Sequence, residues 1–256
     1  MVGSVVWNGI PVISWEFITS GPRDGMRTGG IWPALVGTLS VVLFTILLAV
    51  PQGMLAAVYL HEYAGNSRVT RLIRFAIRNL AGVPSVVFGL FGVGFFVLLL
   101  GLGTSLASAG LTLALLTLPV TVTASDEALR AVPKSYRDAA LALGASRWQV
   151  IRTVVLPEAL PGMLTGTILG LARAAGETAP IMFTGVALFL PRLPSSIFDQ
   201  FMALPYHLYI LVTQHQAIEE VRPLAYGTAL VLLVLVAGLN LVAVFLRARF
   251  RRTRVI

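Results

Sequence analysis

Two ionisable side chains stand four residues apart in an apolar stretch, Arg173-Ala174-Ala175-Gly176-Glu177, within the segment 161–190. A guanidinium is always charged and offers five N–H donors in a planar fork, which suits the oxygens of a tetrahedral oxyanion. A carboxylate one helical turn away orients that fork and, by competing for its donors, keeps anion affinity low enough for release. Counted from Pro161, Arg173 is about 12 residues in, roughly 18 Å along a helix at ~1.5 Å per residue. That depth lies well inside a hydrocarbon core of about 30 Å. A charge there is costly, and a merely structural pair gains little from burial, so the pair is a candidate site. Gly162, Gly166 and Gly170 predict a smooth ridge on which another helix packs closely. At ~100° per residue, Glu177 falls within roughly 20° of Gly170 and Arg173 about 60° to one side, so both charges are expected to flank that ridge. Gly176 and Pro180 predict a break in the helix beside the pair, as at the midplane sites of many transporters.

A second constellation lies between Asp138 and Pro157: Asp138-Ala139-Ala140, Gly144, Arg147, Val154, Leu156 and Pro157, in an Arg-studded loop. Ser135-x-x-Asp138 reads as a capping box opening a short helix of good helix formers. Gly144 stands as the glycine just past its end. Ser146-Arg147-Trp148-Gln149 repeats the box and opens a second helix, expected to run to Leu156 and stop at Pro157. Helix, glycine turn, helix is also the outline of a DNA-reading element. Only about 35 residues separate two apolar spans here, so the hairpin is pinned to a bilayer surface and reads as a docking device. Nucleic acid is not an expected partner.

Composition says what must position these residues. The chain has 256 residues, of which 57% are hydrophobic and 12% charged, about half the charged fraction of a soluble domain. Five apolar segments are long enough to cross a bilayer, near 32–61, 80–102, 106–125, 161–190 and 223–246. The expectation is an all-α polytopic membrane protein. The net charge of +8 sits in three Arg-rich clusters, at 68–78, 130–152 and 247–254, each abutting a span. By the positive-inside rule, the loops 62–79 and 126–160 and the basic tail 247–256 are cytoplasmic. The N-terminal segment 1–31 and the loop 191–222 then lie outside, around a transmembrane domain over 32–246. No basic-then-apolar leader precedes Asn8-Gly9-Ile10-Pro11, so no signal peptide is expected. Gly82, Pro84, Gly89, Gly92 and Gly94 make the second span irregular, as Pro51 and Gly53 do the first.

Several chemistries have no residues to support them. There is no cysteine, and His61, His207 and His215 are scattered, so no metal site is expected. The lone lysine, Lys134, stands in no phosphate-cradling glycine loop, so ATP hydrolysis falls to another polypeptide. No nucleophilic triad or paired carboxylates suit catalysis. This chain is read as a non-catalytic subunit with no cofactor of its own.

The pattern Asp-Ala-Ala-x3-Gly-x9-Val-x-Leu-Pro at 138–157 resembles the glutamate-alanine-alanine loop of ABC importer permeases, with Asp138 for Glu and Val154 for Ile. The stretches Gly82–Gly92 and Arg173–Pro180 resemble the phosphate importer permease of the PstA type, and the likeness covers nearly the whole chain. That family has six spans, and the first is the one without a counterpart here. The resemblance implies the type I ABC importer transmembrane fold in the cell inner membrane. It implies a heterodimer with a homologous permease, two ATPase subunits carrying ATP and Mg²⁺ below, and an external phosphate-binding protein. It further implies that 135–157 is the coupling element, with its alanines and leucines filling a groove on the ATPase and Arg147 and Trp148 at the rim. From their own chemistry, Arg173 and Glu177 are expected to line the substrate pathway, with Glu177 accepting a hydrogen bond from the protonated oxygen of hydrogen phosphate and so favouring it over sulfate. A permease for sulfate, molybdate or phosphonate stays open at this point, since Arg173 does not decide among oxyanions. A secondary transporter and a membrane-anchored scaffold are the other readings. The first lacks further intramembrane acids, and the second has no use for a buried arginine.

Overall fold

The structure, a computed structural model, describes residues 2–65 and 67–252. In chain order the helices are α1 (Val2–Gly9), α2 (Trp15–Thr19), α3 (Trp32–Val58), α4 (Arg68–Leu80), α5 (Ser85–Gly92) and α6 (Leu106–Arg130). There follow α7 (Lys134–Ala142), α8 (Arg147–Val150), α9 (Leu156–Ala174), α10 (Ala179–Thr184), α11 (Leu204–Thr213) and α12 (Ile218–Arg252). The strands β1 (Pro22–Arg23) and β2 (Thr28–Gly29) pair antiparallel, Pro22 opposite Gly29. Wider π turns continue α3 at Tyr59–Tyr63, α5 at Val93–Leu99 and α8 at Ile151–Val155.

Four helical stretches are long and apolar enough to cross a membrane: Trp32–Tyr63, Leu106–Arg130, Arg147–Ala174 and Ile218–Phe245. A fifth is reached if the broken pair Arg68–Leu80 and Ser85–Leu99 counts as one. Two expected spans therefore differ from the sequence reading. The segment near 80–102 is interrupted at Ala81–Pro84, because Pro84 biases the residue before it away from helix and has no N–H to continue the ladder. The segment 161–190 is not one helix either. Its membrane-length helix begins upstream, in the hairpin, and ends at Ala174. The last helix begins earlier than expected and runs through Arg247 to Arg252, so most of the basic tail is helical; residues 253–256 of that tail lie outside the described residues.

The chain divides into two compact units. The first comprises Met1–Ile46, Pro84–Ala114 and Arg173–Gly238. One of its cores joins Val41, Leu106, Leu113, Ile181 and Phe201; another joins Phe17, Ile31, Ala34, Met202 and Leu204. Thr38 Oγ1 accepts from the N–H of Leu204 at 2.8 Å, which ends the orphan state of a helix-start donor. The second unit comprises Leu47–Val83, Leu115–Ala172 and Leu239–Ile256. Its core gathers Ala57, Leu60, Val122, Leu129, Val150, Val155 and Met163, with Ile77, Ala140 and Ala145 packed on it. The expected glycine ridge is present here. A Cβ at Gly162, Gly166 or Gly170 would lie 2.9, 2.5 or 3.1 Å from Ala128, Ala124 or Val120, so α9 and α6 approach nearly to backbone contact.

Candidate functional site

The hairpin is built from its turn outward. Gly144 has φ +82°, the left-handed conformation that glycine adopts without strain. Its N–H donates to Leu141 O at 2.9 Å, and that of Ala145 to Ala140 O at 3.2 Å, the paired bonds of a Schellman stop. Ser146 then caps α8. Its Oγ accepts from Gln149 N while Gln149 Oε1 accepts from Ser146 N, the full reciprocal box. The other expected box is absent. Helix α7 starts at Lys134 behind Pro133, which makes no side-chain cap, and Asp138 points into solvent. The fixed φ of Pro133 sets the start two residues early, leaving Ser135 inside the first turn.

Pro157 does not stop the second helix. The π turn Ile151–Val155 ahead of it passes the chain straight into α9, where Leu156 is half-buried against the core and Pro157 is exposed. A proline clashes with the carbonyl four residues back in an α-helix, and the widened turn relieves that clash.

Ion pairs that the sequence reading missed hold the hairpin in place. Arg137 donates to Glu62 Oε1 at 3.0 Å and to the carbonyls of Val132 at 2.8 Å and Leu129 at 3.0 Å. Arg147 donates to Glu62 O and stacks its guanidinium over Tyr63, 5.6 Å from the ring centre. So Arg147 is engaged within the chain, while Trp148 stays exposed. Beside these, Asp126 accepts from His61 Nδ1 at 2.8 Å, from Arg130 Nε at 2.9 Å and from Arg74 Nη1 at 3.3 Å. Acids at the ends of spans next to Arg clusters were the available signal. Beside the polar Lys134, Ser135 and Asp138, α7 leaves Tyr136, Ala139 and Leu141 uncovered, and Leu143 just past its end is 89% exposed. These exposed hydrophobes form an apolar knob at the tip of the hairpin.

Arg173 and Glu177 do come together, with Nε to Oε1 at 3.5 Å, but not as a helical pair. Helix α9 ends at Ala174, and a turn closes through Gly176 N–H to Arg173 O and Glu177 N–H to Ala174 O. Glu177 is therefore placed by that turn and not by helical periodicity. The pair is also not buried inside this chain. The Arg173 side chain is 69% exposed and that of Glu177 only 15%. The chain resumes helix at α10, whose packing requires two glycines of α5. A Cβ at Gly89 would lie 3.1 Å from Ala179 O, and one at Gly92 2.8 Å from Thr184 Cγ2. Helices α5 and α10 are thus packed on one another, and α10 follows directly on the arginine's turn.

Residues 49–254 match the family described as binding-protein-dependent transport system inner membrane component. The chain belongs to that family. Among relatives, it is 36% identical to the probable ABC transporter permease protein YqgI of Bacillus subtilis, over 93% of this chain and 85% of that one. It is 38% identical to the phosphate transport system permease protein PstA 1 of Mycobacterium tuberculosis, over 94% and 78%. It is 36% identical to the probable phosphate transport system permease protein PstA of Methanocaldococcus jannaschii, over 91% and 80%. The fold is that of solved importers. The inward-facing methionine transporter MetNI superposes with TM-score 0.63 at 19% identity, covering 86% of this chain and 94% of its own. A bacterial ABC transporter for the acidic polysaccharide alginate gives TM-score 0.68 at 15% identity, covering 97% and 88%. This transport component has the type I ABC importer transmembrane fold and is a multi-pass membrane protein.

Proposed function

We propose that the chain is the permease subunit of an ATP-driven phosphate importer, forming half of the translocation pathway. The single observation that carries the pathway is the Arg173 turn. Its guanidinium is held by one carboxylate yet opens away from its own chain, where a second permease subunit completes the path. A fixed guanidinium with free donors binds a tetrahedral oxyanion, and Glu177 tempers that affinity. The relatives named as phosphate permeases supply the choice of oxyanion. The bare apolar knob of α7 supports docking to an ATPase subunit, and hydrolysis of ATP with Mg²⁺ belongs to two such subunits. A homologous permease and an external phosphate-binding protein complete the assembly. In this reading the hairpin and the C-terminus are cytoplasmic, and this chain catalyses no reaction itself.

The test is phosphate uptake by the reconstituted assembly. Arg173→Ala abolishes uptake, Arg173→Lys retains part of it, and ATP hydrolysis rises with phosphate but not with sulfate or molybdate. Normal uptake by Arg173→Ala at unchanged expression overturns the assignment. Because the chain has no cysteine, Trp148→Cys reports sidedness directly: labelling from the outside refutes the orientation.

A further inference from the structure

Helix α4 has three faces, not two. Thr70, Arg74 and Ile77 form the edge turned into the second unit: Thr70 is buried and Ile77 packs on its core. Arg74 donates to Leu60 O at 2.6 Å and to Asp126. On one side of that edge run Val69, Leu72, Ile73, Ala76 and Leu80, spaced i, i+3, i+4, i+7 and i+11, all exposed. On the other side stand Arg71 and Arg78 with Arg68 beside them, and among the described residues these three make no ion pair. An apolar stripe and three unpaired arginines, with exposed Phe75 between Arg71 and Arg68, therefore lie side by side and uncovered.

Length decides what can cover them. Thirteen residues extend only about 20 Å, short of a hydrocarbon core of about 30 Å, so this helix does not cross. It joins two apolar helices, α3 and α5, and so occupies the stretch where the chain leaves the bilayer and returns. An apolar stripe bordered by unpaired arginines matches the boundary between acyl chains and phosphate headgroups. Behind the basic stripe, Arg74, Arg78 and Arg130 line a cavity of about 80 Å³ with Thr123 and Asp126. Three arginines against one carboxylate leave it two positive charges in excess, and the carboxylate already accepts from three donors. Arg78 is the cation at this cavity with no acceptor of its own among the described residues.

We propose that α4 is an interfacial helix that binds anionic phospholipid. Its stripe from Val69 to Leu80 lies among acyl chains, Arg68 and Arg71 contact headgroup phosphates, and Arg78 seats one lipid phosphate at the mouth of the cavity. Because Ile77 packs on the core that also carries Ala140 and Ala145 of the hairpin, a captured lipid braces the docking element from behind.

The experiment uses the assembled transporter in nanodiscs of phosphatidylglycerol or phosphatidylcholine, without ATP, followed by native mass spectrometry of retained lipid. Both leaflets carry the same lipid and no transport is read, so the result is independent of the phosphate pathway and of sidedness. The expected result is preferential retention of phosphatidylglycerol, weakened about fivefold by Arg78→Gln and further by Arg71→Gln. Arg78→Lys, which keeps the charge, retains most of it and controls for folding. Inorganic phosphate added in excess leaves the lipid bound. Unchanged retention when Arg68, Arg71 and Arg78 are all glutamine overturns the proposal, as does displacement by free phosphate. So does dissociation of the two permease subunits by Leu72→Ser with lipid preference intact, which would make the partner chain the occupant.

Discussion

Arg137 on α7 and Glu62 in the π turn that ends α3 meet at 3.0 Å, with side chains only 18% and 10% exposed. One guanidinium thereby joins the hairpin to a membrane-length helix 75 residues earlier in the chain, and it also satisfies two carbonyls at the end of α6. Removing one partner of a buried pair leaves an uncompensated charge. Arg137→Ala is expected to destabilise the protein by about 3 kcal/mol, read as a lowered thermal unfolding midpoint of the purified transporter. Adding Glu62→Ala should restore part of that loss, and strict additivity would show that the pair is not coupled.

The turn of the hairpin is a backbone matter. Nothing lies within 4 Å of a Cβ built at Gly144, but its φ is +82°. Gly144→Ala is therefore expected to cost about 1–2 kcal/mol from strain alone, and Gly144→Asn distinctly less. Equal losses for the two would point to a clash in place of strain.

Leu143 is expected to behave in the opposite way. At 89% exposure it contributes little to folding, so Leu143→Asp should leave the unfolding midpoint unchanged while preventing copurification of the ATPase subunit. Retained copurification with normal uptake would remove the α7 knob from the interface.

The ridge of α9 offers an exchange of volume. Gly166→Ala places a methyl 2.5 Å from Ala124 Cβ and should destabilise by about 1–3 kcal/mol. Ala124→Gly in the same chain makes room for it. Recovery of the midpoint in the double variant, compared with either single change, is the measurement.

His207, in the segment between the last two membrane-length helices, is buried and its Nδ1 has no hydrogen-bond partner among the described residues. Burial lowers its pKa from the ordinary 6.5 to about 4. The unfolded chain takes up a proton there first, so stability holds above 6.5 and falls as pH drops from 6.5 toward 4. The loss over that window is on the order of 3 kcal/mol, and His207→Leu should flatten it in unfolding curves taken across pH.

Features fixed by local chemistry were legible in the sequence. Gly144 announces a left-handed residue, Ser146 and Gln149 stand at cap spacing, and glycines every fourth residue announce close helix packing. The misreadings have one physical cause: partners or backbone states that lie outside the local pattern. Pro157 reads as a stop unless the π turn before it is known. Ser135 reads as a cap unless Pro133 is seen to start the helix first. Arg173 and Glu177 read as a helical pair because nothing local says that the helix ends at Ala174. Glu62 and Asp126 carry no local signal of their ion pairs, because their cations are remote in sequence or, for Arg130, on the next turn.

The π turn at Ile151–Val155 holds one residue more than the α-helix around it requires. One residue is about 100° of azimuth, so this spare residue sets the angular phase between the hairpin and the glycine ridge of α9. A single deletion there would swing one face past the other by more than a quarter turn with every side chain on both sides intact. The orientation of the docking knob is thus keyed separately from that of the ridge, as two cams are keyed to one shaft.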